Sequence, residues 1–197
     1  QAHPVDSQGP APAAGRNRPA PNLTADNPFP VADQSVGAPL LVTVPNAASG
    51  KTRPAAGWPV VIFQHGITRN RTDMLAVAQT FASQGYAVVA MDLPLHGVDA
   101  SSPFYIGNTP FAAAAQERTF DLDVMNNDTG APGPDGKVDA SGSHFINLQS
   151  LLTSRDNLRE GVADLVELEH SIGSMNVGGN ALFNADQISF TGQSLGA

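Results

Sequence analysis

The sequence predicts an α/β fold built on a mostly parallel β-sheet. Two continuous apolar runs, residues 60–63 and 86–91, flank a segment with helical spacing at 73–84. Such runs are typical of strands buried on both faces, and strand–helix–strand order with short connections indicates a parallel pair. The third observation is a strand-like run at 187–191 that leads directly into a Gly-Gln-Ser-Leu-Gly motif at 192–196.

Two more elements complete the predicted sheet and its helices. A strand is predicted over 40–44, before Pro45, and a second helix over about 155–172. Thr153 and Asp156 resemble a capping box at the start of that helix. Apolar positions at helical spacing predict the face that packs on the sheet. They are Leu158, Val162, Leu165 and Val166, with Glu169 at the edge of the face.

The chain divides into an arm and one folded unit. Residues 1–35 are rich in proline and alanine, which predicts a linker or N-terminal arm. Residues 36–197 carry the α/β pattern. Inside that unit the pattern lapses over about 97–150, with its most turn-rich point at 130–136. A loop this long in a compact domain is usually functional or an insertion.

Composition excludes several classes of function. Ten Lys and Arg against 18 Asp and Glu give a net charge of -8, so we expect no nucleic-acid partner. The absence of cysteine excludes disulfides, thiol catalysis and cysteine metal sites. No run approaches the roughly 18 apolar residues of a membrane-spanning helix, and no export signal is visible.

The motif around Ser194 predicts a nucleophile elbow. In G-x-S-x-G a strand turns sharply into a helix and exposes the serine hydroxyl at the tip of a strained turn. Gly192 and Gly196 suit this turn because any larger residue would collide across it. The bare pattern also fits an ordinary strand-to-loop turn. Other segments therefore have to decide between the two interpretations.

A second segment supplies the expected oxyanion hole. His65, Gly66 and Ile67 directly follow the predicted strand at 60–63. A backbone N–H at this place can point at the oxygen on which negative charge develops. We predict the Ile67 N–H as the first donor, with Gly66 as the near alternative, and the Leu195 N–H as the second donor.

Three histidines are candidates for lining the cleft. His65 belongs to the oxyanion segment, and His144 lies in the long excursion. His96 belongs to residues 92–97, a loop expected to shape the rim of the site. A role for His96 as the catalytic base is the alternative.

These segments resemble the N-terminal half of an α/β-hydrolase domain, over residues 36–197. A closer resemblance lies in four segments: residues 63–74 paired with the elbow at 191–197, and residues 142–148 followed by 151–159. These segments are similar to those of large extracellular or surface-anchored bacterial lipases and lysophospholipases, the virulence-factor lipases. The resemblance implies a secreted or outer-surface serine hydrolase of lipid or other carboxylic esters. It also implies that the reaction needs no cofactor. In the intact protein it implies contact with a lipid surface.

The predicted triad is incomplete in this sequence. In this fold the chain order is serine, then an acid, then histidine, and only Leu195, Gly196 and Ala197 follow Ser194. We therefore expect a fragment that is inactive by itself, with acid and base beyond Ala197. A peptidase, an acyltransferase, a polyester depolymerase and a non-catalytic binding module remain as alternatives, and the oligomeric state is open.

No metal site is predicted. The acidic run at 121–139 has oxygen ligands that suit calcium, but its spacing does not match an EF-hand, which favours a solvated loop. His3, His144 and His170 lack the spacing of a zinc site. We interpret Arg69, Asn70 and Arg71 as solvated residues at a helix start, with substrate contact as the alternative.

Overall fold

The computed structural model describes residues 36–197, and the predicted arm at 1–35 lies outside the described residues. The described strands are β1 (Leu40–Thr43), β2 (Trp58–Gln64), β3 (Ala87–Met91), β4 (Asn176–Val177), β5 (Asn180–Ala181) and β6 (Phe183–Gly192). The described helices are α1 (Leu75–Ser83) and α2 (Leu151–Ile172). Within these residues no helix has the length and apolar character needed to cross a membrane.

The main sheet has four strands in the order β1–β3–β2–β6. Strand β2 pairs in parallel with both β3 and β6, while β1 runs antiparallel along β3. The predicted mostly parallel sheet is therefore confirmed. The short strands β4 and β5 form a separate hairpin.

Helices cover both faces of the sheet. On one face α1 and the turn before it bury Met74 and Ala78 against Phe63, Val88 and Ala90. On the other face α2 contributes Leu168 and Ile172 to a larger core. That core also contains Trp58, Val60, Ile62, Ala87, Val89, Met91 and Phe183. Alternate residues of β3 enter opposite cores because successive side chains of a strand point to opposite faces.

The buried face of α2 differs from the predicted one. Leu158, Val162 and Val166 are 42%, 62% and 50% exposed, and Leu165 packs only at the edge of the core. The face turned inward is largely polar. Its buried members are Thr153, Ser154, Asp156, Asn157, Glu160, Gly161, Asp164, Leu168 and Ile172.

The excursion before α2 explains this polar face. Arg118 of the excursion forms a buried ion pair with Asp164, and the Asn157 side chain donates a hydrogen bond of 2.9 Å to the Phe145 carbonyl. The predicted cap is also corrected. The helix begins at Leu151, and Ser150 is its N-cap, accepting the Thr153 N–H.

The excursion itself is held by hydrogen bonds to carboxylates. The buried Asp139 carboxylate accepts the N–H groups of Val124 and Met125, at 2.9 and 3.2 Å. Asp123 accepts the N–H groups of Asp135 and Gly136. These bonds satisfy main-chain groups that would otherwise have no partner in an irregular segment.

Candidate active site

The strand register brings three loops to one edge of the sheet. Gln64, the last residue of β2, lies opposite both Met91 of β3 and Gly192 of β6. All three strands run in the same direction, so the residues after them leave the same edge side by side. Ligands of open α/β sheets bind at this carboxyl edge. The loops that meet here are 65–68, 92–97 and 193–196.

The elbow has the strained geometry expected of its motif. Ser194 is exposed and adopts a left-handed conformation with φ 55° at the start of a short 3-10 turn. A Cβ on Gly192 would collide with the carbonyl oxygen of Gly196. A Cβ on Gly196 would lie 2.5 and 2.6 Å from the carbonyl oxygens of Gln64 and His65. The tight turn therefore requires glycine at both positions.

The loop after β2 lies against Ser194. A Cβ placed on Gly66 would be 3.1 Å from the Ser194 Cβ and 3.7 Å from its Oγ. Within residues 36–197, neither the Ile67 N–H nor the Leu195 N–H donates a hydrogen bond. Two main-chain donors next to the serine are thus available to an incoming oxygen.

His65 lies beneath this loop with both ring nitrogens engaged. The Leu93 N–H donates to Nε2 at 3.0 Å, so the ring proton lies on Nδ1, which donates to the Gly66 carbonyl at 2.7 Å. Burial lowers the pKa of His65 below its ordinary value. The ring is completely buried, which corrects the expectation that His65 lines an open cleft.

His96 occupies a similar position one strand away. The Thr68 N–H donates to its Nε2 at 3.2 Å, and Nδ1 donates to the Pro94 carbonyl at 2.9 Å. Burial lowers the pKa of His96 to about 4. A buried imidazole with both nitrogens occupied cannot take a proton from Ser194. The structure thus contradicts both the cleft-lining role and the alternative of a catalytic base.

His144 lies in a different environment, within the excursion. Its Nε2 is 2.9 Å from Asp139 Oδ2, and its side chain is 27% exposed. It lines a shallow cavity of about 260 Å³. The other lining residues also belong to the excursion and are Ser143, Ile146, Asn147, Leu148 and Gln149.

A buried charge network was missed by the sequence interpretation. Arg71 is only 3% exposed and forms ion pairs with Asp92 and Glu117. Its main-chain N–H also donates to Asp92 at 2.6 Å. Arg71 is therefore a buried cross-link rather than a solvated or substrate-contacting residue. Asp92 was the available signal, because a carboxylate directly after a fully apolar strand needs a buried partner.

The neighbours of Arg71 have simpler roles. Arg69 is exposed and pairs with Asp73 at 2.7 Å, four residues along the chain. The Asn70 side chain caps the turn before α1 by accepting the Thr72 N–H. Among residues 36–197, no group of three or more His, Asp or Glu side chains has an arrangement that could hold a metal ion.

Acid is expected to destabilise the protein between about pH 6.5 and pH 4. The pKa of His96 is about 4 in the folded state and about 6.5 when unfolded, so the unfolded chain binds the proton first. The free energy of unfolding then falls as pH decreases through this window, by up to about 1.4 kcal/mol per pH unit for one histidine. Urea unfolding at several pH values measures this slope.

His96→Gln is the matched variant for this pH dependence. The ring centroids of His65 and His96 are 4.9 Å apart, and the pKa of His65 is lowered as well. The contribution of His65 to the pH dependence of stability therefore remains in the variant. His65 Nε2 lies 3.7 Å from Asp92 Oδ1, and the charges of Asp73 and Arg69 also act on His65. We expect His96→Gln to flatten the slope. A slope equal to that of the unsubstituted protein would contradict the assignment.

The sheet, the strained serine and the neighbouring loop define a partial α/β-hydrolase fold. A family model described as platelet-activating factor acetylhydrolase, isoform II, matches residues 35–197, and the chain belongs to this family. No curated protein matches the chain. The resemblance to the α/β hydrolases is thereby confirmed. Family membership makes the protein a hydrolase of the phospholipid and ester class.

Proposed function

We propose that the protein is a serine ester hydrolase that cleaves lipid or other carboxylic esters through an acyl-enzyme on Ser194. One observation carries the proposal. Ser194 is exposed in a strained left-handed turn at the carboxyl edge of the sheet, with Gly66 in contact and two unpaired main-chain N–H groups beside it. Strain of this kind costs about 1–3 kcal/mol and is found where it serves function.

The proposed reaction has two halves. Ser194 Oγ attacks the ester carbonyl carbon while a base accepts the hydroxyl proton, and the N–H groups of Ile67 and Leu195 stabilise the oxyanion. The tetrahedral intermediate collapses, the leaving alcohol takes the proton, and the acyl group stays on Oγ. Water then attacks the acyl carbon while the same base takes a proton from it. The bond between the acyl carbon and Oγ breaks, Oγ takes the proton from the base, and the carboxylic acid leaves. One oxyanion donor typically contributes about 10²–10³ in rate.

The base is proposed to be a histidine other than His65 and His96. Both of those rings use their two nitrogens within the loops that they support. In this fold the acid and the histidine follow the serine along the chain. A serine hydroxyl without a base is a poor nucleophile at neutral pH. We therefore propose that ester hydrolysis by Ser194 depends on such a histidine.

A fluorophosphonate probe tests this function. It should label the intact protein once, on the peptide that contains Ser194, because only an activated serine reacts. Ser194→Ala should abolish the label, whereas Ser189→Ala, an exposed serine on the same strand, should leave it unchanged. Labelling that survives Ser194→Ala would refute the nucleophile assignment. No labelling of the unsubstituted protein would favour a non-catalytic binding module.

A further inference from the structure

Two buried histidines contact the peptide planes on either side of Ile67. His65 Nδ1 donates to the Gly66 carbonyl, which lies in the same peptide plane as the Ile67 N–H. His96 Nε2 accepts the Thr68 N–H, which belongs to the next peptide plane. A carbonyl and the following N–H point in opposite directions across a trans peptide. Holding the Gly66 carbonyl toward His65 therefore points the Ile67 N–H away from it.

The backbone at this place is strained. Thr68 has φ 61°, although its branched side chain makes a left-handed conformation unfavourable. Leu95, next to His96, has φ 64°. The Thr68 N–H bond to His96 links these two strained turns. Such strain persists only where the surrounding structure holds it in place.

We propose that His65 and His96 are positioning residues that hold the Ile67 N–H toward the substrate oxygen at Ser194. The inference rests on the proposed ester hydrolysis and adds two residues that do not touch substrate. It also requires both imidazoles to be neutral with the proton on Nδ1. Only that form lets Nε2 accept the N–H groups of Leu93 and Thr68.

The excursion holds His96 in this position. The Phe145 ring packs against the imidazole edge-on, with centroids 5.3 Å apart, and Ser141 forms an isolated β-bridge with His96. Gly142 approaches so closely that a Cβ there would enter the imidazole ring. The excursion thereby has a place in the proposed site, because it fixes the ring that accepts the Thr68 N–H.

The first test compares two variants of His96 in the intact protein. His96→Phe keeps a ring against Phe145 but removes the acceptor, and it should lower kcat about 10- to 100-fold with KM within about twofold. His96→Gln keeps an acceptor near the Nε2 position and should recover most of the loss. Equal kcat values for His96→Phe and the unsubstituted enzyme, or no recovery in a folded His96→Gln, would overturn the proposal.

The second test uses Thr68→Gly. Glycine adopts a left-handed conformation without strain. In this background the hydrogen bond to His96 is therefore less necessary to keep residue 68 in that conformation. We expect His96→Phe to lower kcat at least threefold less in Thr68→Gly than in the unsubstituted enzyme. If the two losses simply multiply, the effect of His96 does not pass through the Thr68 backbone and the proposal is refuted.

A third measurement separates this inference from the proposed function. Nitrogen-15 NMR of the imidazoles in Ser194→Ala protein requires no activity. We expect His65 and His96 to show a protonated Nδ1 and an unprotonated Nε2 at neutral pH, with His96 unprotonated down to about pH 5 because its pKa is about 4. The opposite tautomer in either ring would overturn the proposal even if Ser194 is the nucleophile. A third outcome is that both rings show the expected tautomers while the fluorophosphonate probe does not label the unsubstituted protein. In that case the imidazole geometry is correct and the proposed function is wrong.

Discussion

Replacement of Ser194 by alanine is expected to lower kcat for ester hydrolysis in the intact protein by about 10⁴- to 10⁶-fold. The substitution removes the proposed nucleophile and nothing else, because the serine is exposed and its side chain supports no other part of the fold within residues 36–197. KM should change only a few-fold, since the oxyanion donors and the surrounding loops stay in place. Initial rates on short-chain and long-chain esters, measured over a range of substrate concentrations, give both constants.

The control for this prediction is Ser189→Ala. Ser189 lies on the same strand, is also exposed, and pairs in register with Val61 rather than with the loop after β2. Its kcat should stay within about twofold of the unsubstituted enzyme, and both variants should melt within a few degrees of it. Near-normal kcat in Ser194→Ala would show that another group attacks the ester.

Part of the fold could be predicted because its sequence signals are local. Strands β2 and β3 are buried on both faces and therefore appear as continuous apolar runs. Helix α1 lies between them in the chain, and it buries Ala78 while the turn before it buries Met74. These elements pack against one another. The apolar spacing of each therefore reflects contacts with elements that are close in sequence.

For helix α2 the apolar spacing predicted the wrong buried face. Hydrophobic spacing assumes that a helix packs on an apolar surface, but α2 turns Asn157 and Asp164 inward. Their partners, the Phe145 carbonyl and Arg118, belong to an irregular excursion whose path has no periodic signal. The apolar residues Leu158, Val162 and Val166 remain on the outer face.

The site shows the same division. The sequence indicates that Gly66 and Ser194 both follow strands, and that parallel strands end at one edge. The sequence does not indicate how strands β2 and β6 align. In the structure Gln64 lies opposite Gly192, and this alignment brings the two loops into contact. The support from His65 and His96 was equally hidden, because a histidine after a strand gives no sign of which main-chain groups its nitrogens contact.

Arg71→Met is expected to have the largest effect on stability, lowering the free energy of unfolding by about 3–5 kcal/mol. Methionine fills a similar space but leaves the Asp92 and Glu117 carboxylates, both at most 5% exposed, without their cation. The bond from Arg71 to the Phe104 carbonyl is lost as well. Urea unfolding at neutral pH measures the change. Arg69→Met is the matched control, and it should change stability far less because its pair with Asp73 is exposed to solvent.

A double variant separates charge from packing as the cause. If unpaired carboxylates destabilise Arg71→Met, then adding Glu117→Gln should restore part of the lost stability, because a neutral amide is less costly to bury than a carboxylate. The same Glu117→Gln change in the presence of Arg71 should destabilise, since it weakens the two hydrogen bonds from Arg71, of 2.6 and 2.8 Å, and places an amide NH2 against the N–H of Val98 or Ile106. Opposite signs in the two backgrounds identify a buried ion pair that ties the start of α1 to the excursion. The same sign in both would show that an unpaired Glu117 carboxylate is not the main cause of the loss.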